Sequence, residues 1–426
     1  MFVICAGLLV IIALLGAPLF VVILAASILG FISADVDLSV IAIELYRITD
    51  TPILLALPLF TFAGYLLAEG KTSDRLVSLS QAFLGWMPSG LAIVSFFTCA
   101  FFTAFTGASG VTIVAVGALL YPALKQEGYS DKFSLGLVTT SGSLGLLIPP
   151  SLPLILFAII AQQMGYGEQV SIKDLFVAGL IPAALMILLL SFYSLWENRS
   201  APIAKQPFSW PVALSTIKKA RWEIPLPFFV LGGIYSGFFA ISDAAAATVI
   251  YVIIMEFFLY KEIPLRRLPD IMRDSMMMVG GILLILAVSL AFTNFLVDAE
   301  IPMQLFHVIQ SNIESKIVFL LLLNIILLAL GAILDIFSSL IIMIPLILPV
   351  AIGYGIDPIH LGIMFLANMQ IGYFTPPVGM NLFIASYRFN KPILELYRAT
   401  IPFMLVLMVA LLLITFIPSL TLMFIR

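Results

Sequence analysis

The chain has 426 residues, of which 62% are hydrophobic and only 10% charged, with a formal net charge of −3. A water-soluble domain carries roughly a quarter charged residues, so a soluble fold is excluded and no nucleic-acid partner is expected. Cys5, Cys99, His307 and His360 stand alone in the sequence, leaving no disulfide framework and no metal cluster at ligand spacing.

The N-terminal run from Met1 to Ala34 is apolar, interrupted only at Gly16-Ala17-Pro18, and lacks a basic leader region. It is expected to be retained membrane segments rather than a cleaved signal. A polar stretch at 35–50 leads to a span over 51–69, and no charge occurs from Leu76 to Leu124 or from Phe133 to Gly167. Apolar runs above about 18 residues read as spans of a roughly 30 Å hydrocarbon core. Their continuous apolarity excludes the alternation of a membrane β-barrel. The chain is therefore expected to be an all-α, polytopic integral membrane protein.

Residues 91–124 break at Thr106-Gly107-Ala108-Ser109-Gly110, which leaves each arm short of the roughly 20 residues needed to cross. A re-entrant helical hairpin is predicted, with the hydroxyls of Thr106, Ser109 and Thr112 at its tip. The next run, 133–164, breaks at Pro149-Pro150. A span at 175–196 closes a first half, 1–196. The polar linker 197–223 carries Arg199, Lys205, Lys218, Lys219 and Arg221, which places it in the cytoplasm.

The second half, 224–426, opens with 224–260, long enough to cross out and back before the basic stretch 261–273. Gly233 and Gly237 form a small-xxx-small pair there, which predicts close helix packing. A span at 275–297 follows, then a second hairpin at 317–354 interrupted over 331–339. Asp335 is the sole charge between Ile317 and Tyr354, and an intramembrane carboxylate marks function by default. Capping of the helix at the hairpin tip is its alternative role, compatible with the first. A broken helix at 361–387 and a last span at 399–425 complete the chain.

The halves are alike. At a gap-free offset of 227 residues Leu119 falls on Leu346, Pro122 on Pro349, Gly128 on Gly355, Gly145 on Gly372, Pro149-Pro150 on Pro376-Pro377 and Ala158 on Ala385. A duplicated unit is the expected origin. Lys125 and Lys132 flank Gly128, while Gly355 has only Asp357 and His360 nearby. Beyond the double prolines the bias reverses, with Glu168 and Asp174 against Lys173 in one copy and Arg388, Lys391 and Arg398 in the other. Basic loops stay cytoplasmic, so the copies have opposite topology, the inverted repeat of secondary transporters.

Two consecutive prolines remove two amide donors and turn the preceding residue away from helical geometry. Carbonyls freed at mid-membrane are tolerated only where they face protein, water or a cation. Sodium takes such oxygen ligands, and the ends of half-helices add favourable dipoles. A proline kink satisfied by neighbouring helices is the purely structural alternative.

The run Phe101-Phe102-Thr103-Ala104-Phe105-Thr106-Gly107-Ala108-Ser109-Gly110, the two double-proline motifs, and Gly232-Gly233-Ile234-Tyr235-Ser236-Gly237 together resemble the large membrane subunit of tripartite ATP-independent periplasmic (TRAP) transporters, the DctM family. That family usually continues into Thr-Glu-Ala-Ala, where this chain has Ser242-Asp243-Ala244-Ala245. The hydroxyl and carboxylate are kept, but the carboxylate is one methylene shorter.

The resemblance, which covers nearly the whole chain, implies an elevator-type carrier in the bacterial inner membrane, driven by a Na+ gradient. It implies two re-entrant hairpins and two unwound helices moving against a scaffold. A small DctQ-type membrane subunit and a periplasmic substrate-binding protein are the implied partners. It further implies one Na+ site at Thr103, Thr106, Gly107, Gly145, Ile148 and Pro150, and a second at Gly331, Asp335, Gly372, Thr375 and Pro377. Ser109, Ser338 and Asn381 are the implied substrate residues. The cargo it implies is a small organic acid, with a C4-dicarboxylate, a sugar acid such as sialic acid and other organic acids all open.

Other classes fare worse. Gly64–Thr72 has five residues between its glycines where a phosphate loop needs four. Lone histidines and unpaired intramembrane carboxylates supply no enzyme constellation. Broken helices also build channel filters, which counterflow exchange distinguishes. A stand-alone Na+/dicarboxylate symporter is the nearest rival.

Overall fold

The computed structural model describes residues 17–47, 51–166, 170–199 and 208–425, with Gly7, Leu9, Ile11 and Ile12. Residues 1–6, 8, 10 and 13–16 of the N-terminal apolar run, Cys5 among them, and Lys205 lie outside the described residues. Within them the chain is helical and contains no strand. In chain order, α1 (Leu19–Ser33), α2 (Ser39–Arg47), α3 (Ala56–Glu69) and α4 (Thr72–Leu84) precede a helical pair, α5 (Gly90–Thr106) and α6 (Ser109–Gln126). Then α7 (Asp131–Ser141) runs through a single turn, Leu144–Leu147, and the double proline into α8 (Leu152–Ala161). After α9 (Ile172–Glu197) the linker holds a short helix, α10 (Trp210–Lys219), where the sequence suggested only polar chain.

The second half starts with α11 (Pro225–Tyr235), α12 (Ile241–Ile253), the long α13 (Leu268–Asp298) and α14 (Ile301–Asn312). A second helical pair follows, α15 (Lys316–Ile333) and α16 (Ile336–Gly353). The chain ends with α17 (Pro358–Gly372), α18 (Met380–Phe389), α19 (Ile393–Phe416) and α20 (Ser419–Leu422). Among the described residues seven helices are long and apolar enough to cross a membrane, or eight if the α7–α8 pair, bent by 42°, counts as one span. This is a multi-pass membrane protein.

The duplication reaches into the backbone. Helix ends Thr106, Ser109 and Gln126 of one copy coincide, 227 positions on, with Ile333, Ile336 and Gly353 of the other. Gly128 and Gly355 both take positive φ, 98° and 67°, where glycine escapes the Cβ penalty. Two positions later Ser130 caps α7 through the Phe133 amide (3.2 Å), and Asp357 caps α17 through the Ile359 amide (2.8 Å). Each satisfies a donor the helix leaves unpaired. Both Pro-Pro bonds are cis.

The copies are intertwined. The half-helix beyond each double proline packs on the second arm of the other copy's hairpin, α8 on α16 and α18 on α6. Gly110 lies under Ile384 and Gly117 under Phe389. Around this core, α3 packs against α12 and α13, and α13 also touches α16. At one end Arg75 of α4 pairs with Glu223 and Glu262, the latter at 2.6 Å, tying α4 to the linker and to the turn after α12.

Two expectations change. Gly233 packs against the Phe239 ring of the turn that follows α11, and Gly237 forms that turn at φ +76° with open space beside it. This pair therefore shapes a turn rather than a helix–helix contact. The arms α15 and α16, 18 residues each, are long enough to cross, so length alone does not make the second pair re-entrant, while α5 at 17 residues stays below that mark.

Candidate functional site

Each break is held by a glycine pressed against the first arm of its own hairpin. A Cβ on Gly145 would stand 2.1 Å from the Ala100 carbonyl oxygen and 2.5 Å from the Ala104 nitrogen. A Cβ on Gly372 would stand 2.6 Å from Gly331 Cα. Ala104 and Gly331 are themselves 227 residues apart, so the contact is made twice. No other residue fits so close an approach. One turn later the same hydrogen bond closes both breaks: Ile148 N donates to Gly145 O and Thr375 N to Gly372 O, each at 3.0 Å. A carbonyl oxygen accepts twice, so both retain a lone pair.

At the first break the Thr103 hydroxyl donates to Gly142 O (2.8 Å) and lies 2.6 Å from Thr112 Oγ1, which supplies its own proton to Thr103. Thr106, fully buried, donates to Ala108 O at 3.5 Å. Gly107 takes φ +66° against the Leu152 side chain, and Pro150, two residues before Leu152, is buried. At the second break the Thr375 hydroxyl donates to Ile371 O (2.8 Å), and Pro377 O accepts from Tyr397. Thr103, Gly145 and Ile148 thus converge, as do Gly331, Gly372 and Thr375.

Asp335 stands slightly apart. Its Oδ1 accepts from the Phe337 and Ser338 amides, both at 3.0 Å, and its Oδ2 accepts from the Ser338 hydroxyl. It is a helix cap for α16, linked to the second break by Tyr373, whose hydroxyl accepts from Ile336 N at 2.8 Å.

The two hairpin tips and α13 border an open cavity of about 360 Å³. The tips contribute Ser109, Gly110, Asp335 and Ser338, and α13 contributes Met278, Gly281, Ile282 and Ile285. Asn381 is fully buried behind this wall: Ser109 donates to its Oδ1 at 2.8 Å, while its amide nitrogen donates to Thr139 O at 3.4 Å. Of the three substrate candidates, Ser109 and Ser338 line the cavity and Asn381 orients Ser109. Sequence reasoning missed Tyr373 and the α13 wall; the Gly280-Gly281 pair inside that long apolar run was the available signal.

A helical membrane protein with paired broken helices and two hairpin tips bordering one cavity belongs to the class of membrane transporters. Two solved structures share the fold. The Alcanivorax borkumensis YdaH transporter matches with a TM-score of 0.62 at 16% identity, covering 88% of this chain and 86% of that one. Neisseria gonorrhoeae MtrF, described among antimetabolite efflux pumps, matches with a TM-score of 0.60 at 12% identity over 96% and 94%.

Residues 5–420 match the family model described as "Tripartite ATP-independent periplasmic transporter, DctM component". The chain is 33% identical to the C4-dicarboxylate TRAP transporter large permease of Rhodobacter capsulatus, over 98% of this chain and 97% of that one. It is 28% identical to the ectoine TRAP transporter large permease of Halomonas elongata, over 96% and 95%. An isethionate permease of Oleidesulfovibrio alaskensis, named DctMQ, is 31% identical over 87% of this chain and 58% of that one. The chain belongs to the DctM family of TRAP transporter large permeases. It is a transporter subunit rather than an enzyme.

Proposed function

We propose that this chain is the large permease of a Na+-coupled importer of a small organic acid in the bacterial inner membrane. C4-dicarboxylates and sugar acids such as sialic acid are the two substrate classes to test first. The observation that carries the reading is the cavity of about 360 Å³ between the hairpin tips, next to two identically built breaks. Sodium rides with the substrate as cargo. One ion is held by main-chain and hydroxyl oxygens around Thr103, Thr106, Gly107, Gly145, Ile148 and Pro150. A second is held around Gly331, Gly372, Thr375 and Pro377, with Asp335 supplying charge nearby. Oxygen ligands of this kind suit a hard cation, and broken helices are where transporters place them.

The coupling follows from geometry. Each ion draws a hairpin tip and a break together and so completes the cavity wall that touches substrate. Substrate binding to the sodium-loaded form is then stronger, and by linkage substrate strengthens sodium binding equally. The loaded core, with both hairpins re-entrant, moves as a unit against α13, whose cavity face is largely apolar (Met278, Gly281, Ile282). Such a face resists sliding little, although the bond from the Ser289 hydroxyl of α13 to Ile341 O of α16 (3.3 Å) has to break.

By analogy with the relatives, a periplasmic binding protein delivers the substrate and a small DctQ-type subunit braces the outer helices; the DctMQ name of the isethionate relative supports the second partner. The test is uptake into proteoliposomes holding the permease with its small subunit, with binding protein outside. Uptake should require an inward Na+ gradient and show counterflow exchange. Uptake indifferent to sodium, or without trans-stimulation, contradicts the proposal.

A further inference from the structure

Helices α4 and α14 hold equivalent places in the repeat. Each leads into the first arm of its hairpin, and the bounds of α4, moved on by 227, fall at 299–311, close to those of α14 (Ile301–Asn312). The two are seated differently. Helix α4 lies directly on α5, where the Thr98 hydroxyl donates to Ser80 Oγ at 3.1 Å. Helix α14 leans instead on the second arm, α16, and barely meets α15. Side-chain size sets how closely two helices approach. Where α4 has Ser78 and Ala82, α14 has Leu305 and Ile309; where α5 has Ser95 and Cys99, α15 has Leu322 and Ile326. Ser95 and Cys99 are buried, whereas Leu322 and Ile326 are 39% and 48% exposed.

The larger side chains leave a cleft of about 290 Å³ between α14, α15 and α16. Leu305 and Ile309 form one wall, Leu322 and Ile326 the second, Leu346 and Val350 the third, and every lining residue is apolar. A buried water needs two or more polar partners and finds none here. Both α15 and α16 are long and apolar enough to cross a membrane. Ile317, Val318, Leu321 and Ile325 on α15 are exposed, so the open side of the cleft faces hydrocarbon. Left empty, its walls would forfeit dispersion contacts. Lys316 stands one turn before Phe319, a lining residue, on the same face of α15. Its Nζ donates to Gly355 O at 2.8 Å, and an ammonium carries three donors, so two remain for an anion.

We infer that the cleft seats an acyl chain of one phospholipid, with the lipid's phosphate at Lys316. The lipid comes from the leaflet opposite the basic stretch 261–273, which the charge rule makes the periplasmic one. Its chain supplies between α14 and α15 the packing that α4 and α5 make for themselves. A helix of a protein partner does not fit, because one turn, about 10 Å across and about 5.4 Å long, exceeds the volume.

The test is native mass spectrometry of the permease with its small subunit, extracted by mild detergent from vesicles of phosphatidylethanolamine and phosphatidylglycerol. The wild-type complex should keep a phospholipid through washing. Leu322→Trp and Ile326→Trp add bulk at the mouth of the cleft, where both side chains are already part exposed, and should each lower that retention at least twofold. Ile325→Trp, on the outer face of α15, should not. Lys316→Gln, which removes the charge and keeps a donor, should loosen the lipid too. Exhaustive delipidation should lower wild-type melting by a few degrees and leave the two filled variants nearly unchanged. Equal lipid retention and equal response to delipidation in wild type and filled variants would overturn the inference. A disulfide or cross-link from Leu322→Cys to the small subunit would overturn it in favour of a protein occupant.

Discussion

The hydroxyl of Ser143 donates to the carbonyl of Gln370 at 3.0 Å, and the two residues are separated by 227 positions, the offset that superimposes the halves of the chain. Equivalent positions touch one another only on a two-fold axis. The duplication is thus folded about a line through the two breaks, and whatever one hairpin does, its counterpart is placed to mirror. Ser143→Ala removes one buried hydrogen bond at that line, a loss of about 1 kcal/mol. Thermal unfolding of the purified protein should show a drop of a few degrees, while Ser143→Cys, which keeps a weak donor, should recover part of it.

Filling either glycine at the hairpin contact tests the geometry directly. Gly145→Ala and Gly372→Ala place a methyl 2.1 Å from the Ala100 oxygen and 2.6 Å from Gly331 Cα. Overpacking against backbone costs about 1–3 kcal/mol. Gly280→Ala, with nothing within 4 Å, is the control and should leave melting unchanged. Both contact variants should lose most sodium-driven uptake, and wild-type uptake in either would separate the breaks from transport.

Asp335→Ala removes the α16 cap, at a cost of about 1–2 kcal/mol, and removes the charge beside the second break. The variant should insert normally and show a weaker dependence of uptake on sodium. A sodium titration of uptake reads this, and an unchanged half-saturation concentration would confine Asp335 to capping.

Replacing Pro149-Pro150 with Ala-Ala restores two amide donors and favours continuous helix from α7 to α8. Transport should be abolished, with the protein still inserted. Normal activity would mean that the interruption has no part in coupling.

Much of this architecture was legible because it depends on residues that act on the backbone. Proline pairs and glycines mark interruptions wherever they fall, and helices end or begin at Thr106, Ser109, Ile333 and Ile336, inside the stretches that this punctuation marks. Side-chain partnerships across the fold left no such mark. Arg75 meets Glu223 and Glu262 from 148 and 187 residues away, and Asn381 sits behind Ser109 across 272. The α13 wall was invisible because an apolar helix looks alike whether it faces lipid or a cavity. Gly233 and Gly237 misled because a spacing of four is shared by helix contacts and by helix-ending turns.

Sodium binding itself is the most direct measure. Equilibrium dialysis of the purified permease against radioactive sodium should give saturable binding that potassium does not displace. Thr103→Ala at the first break and Thr375→Ala at the second should each lower the amount bound. An absence of saturable sodium binding, or a binding curve that neither substitution alters, would contradict the placement of the coupling ions at the paired breaks.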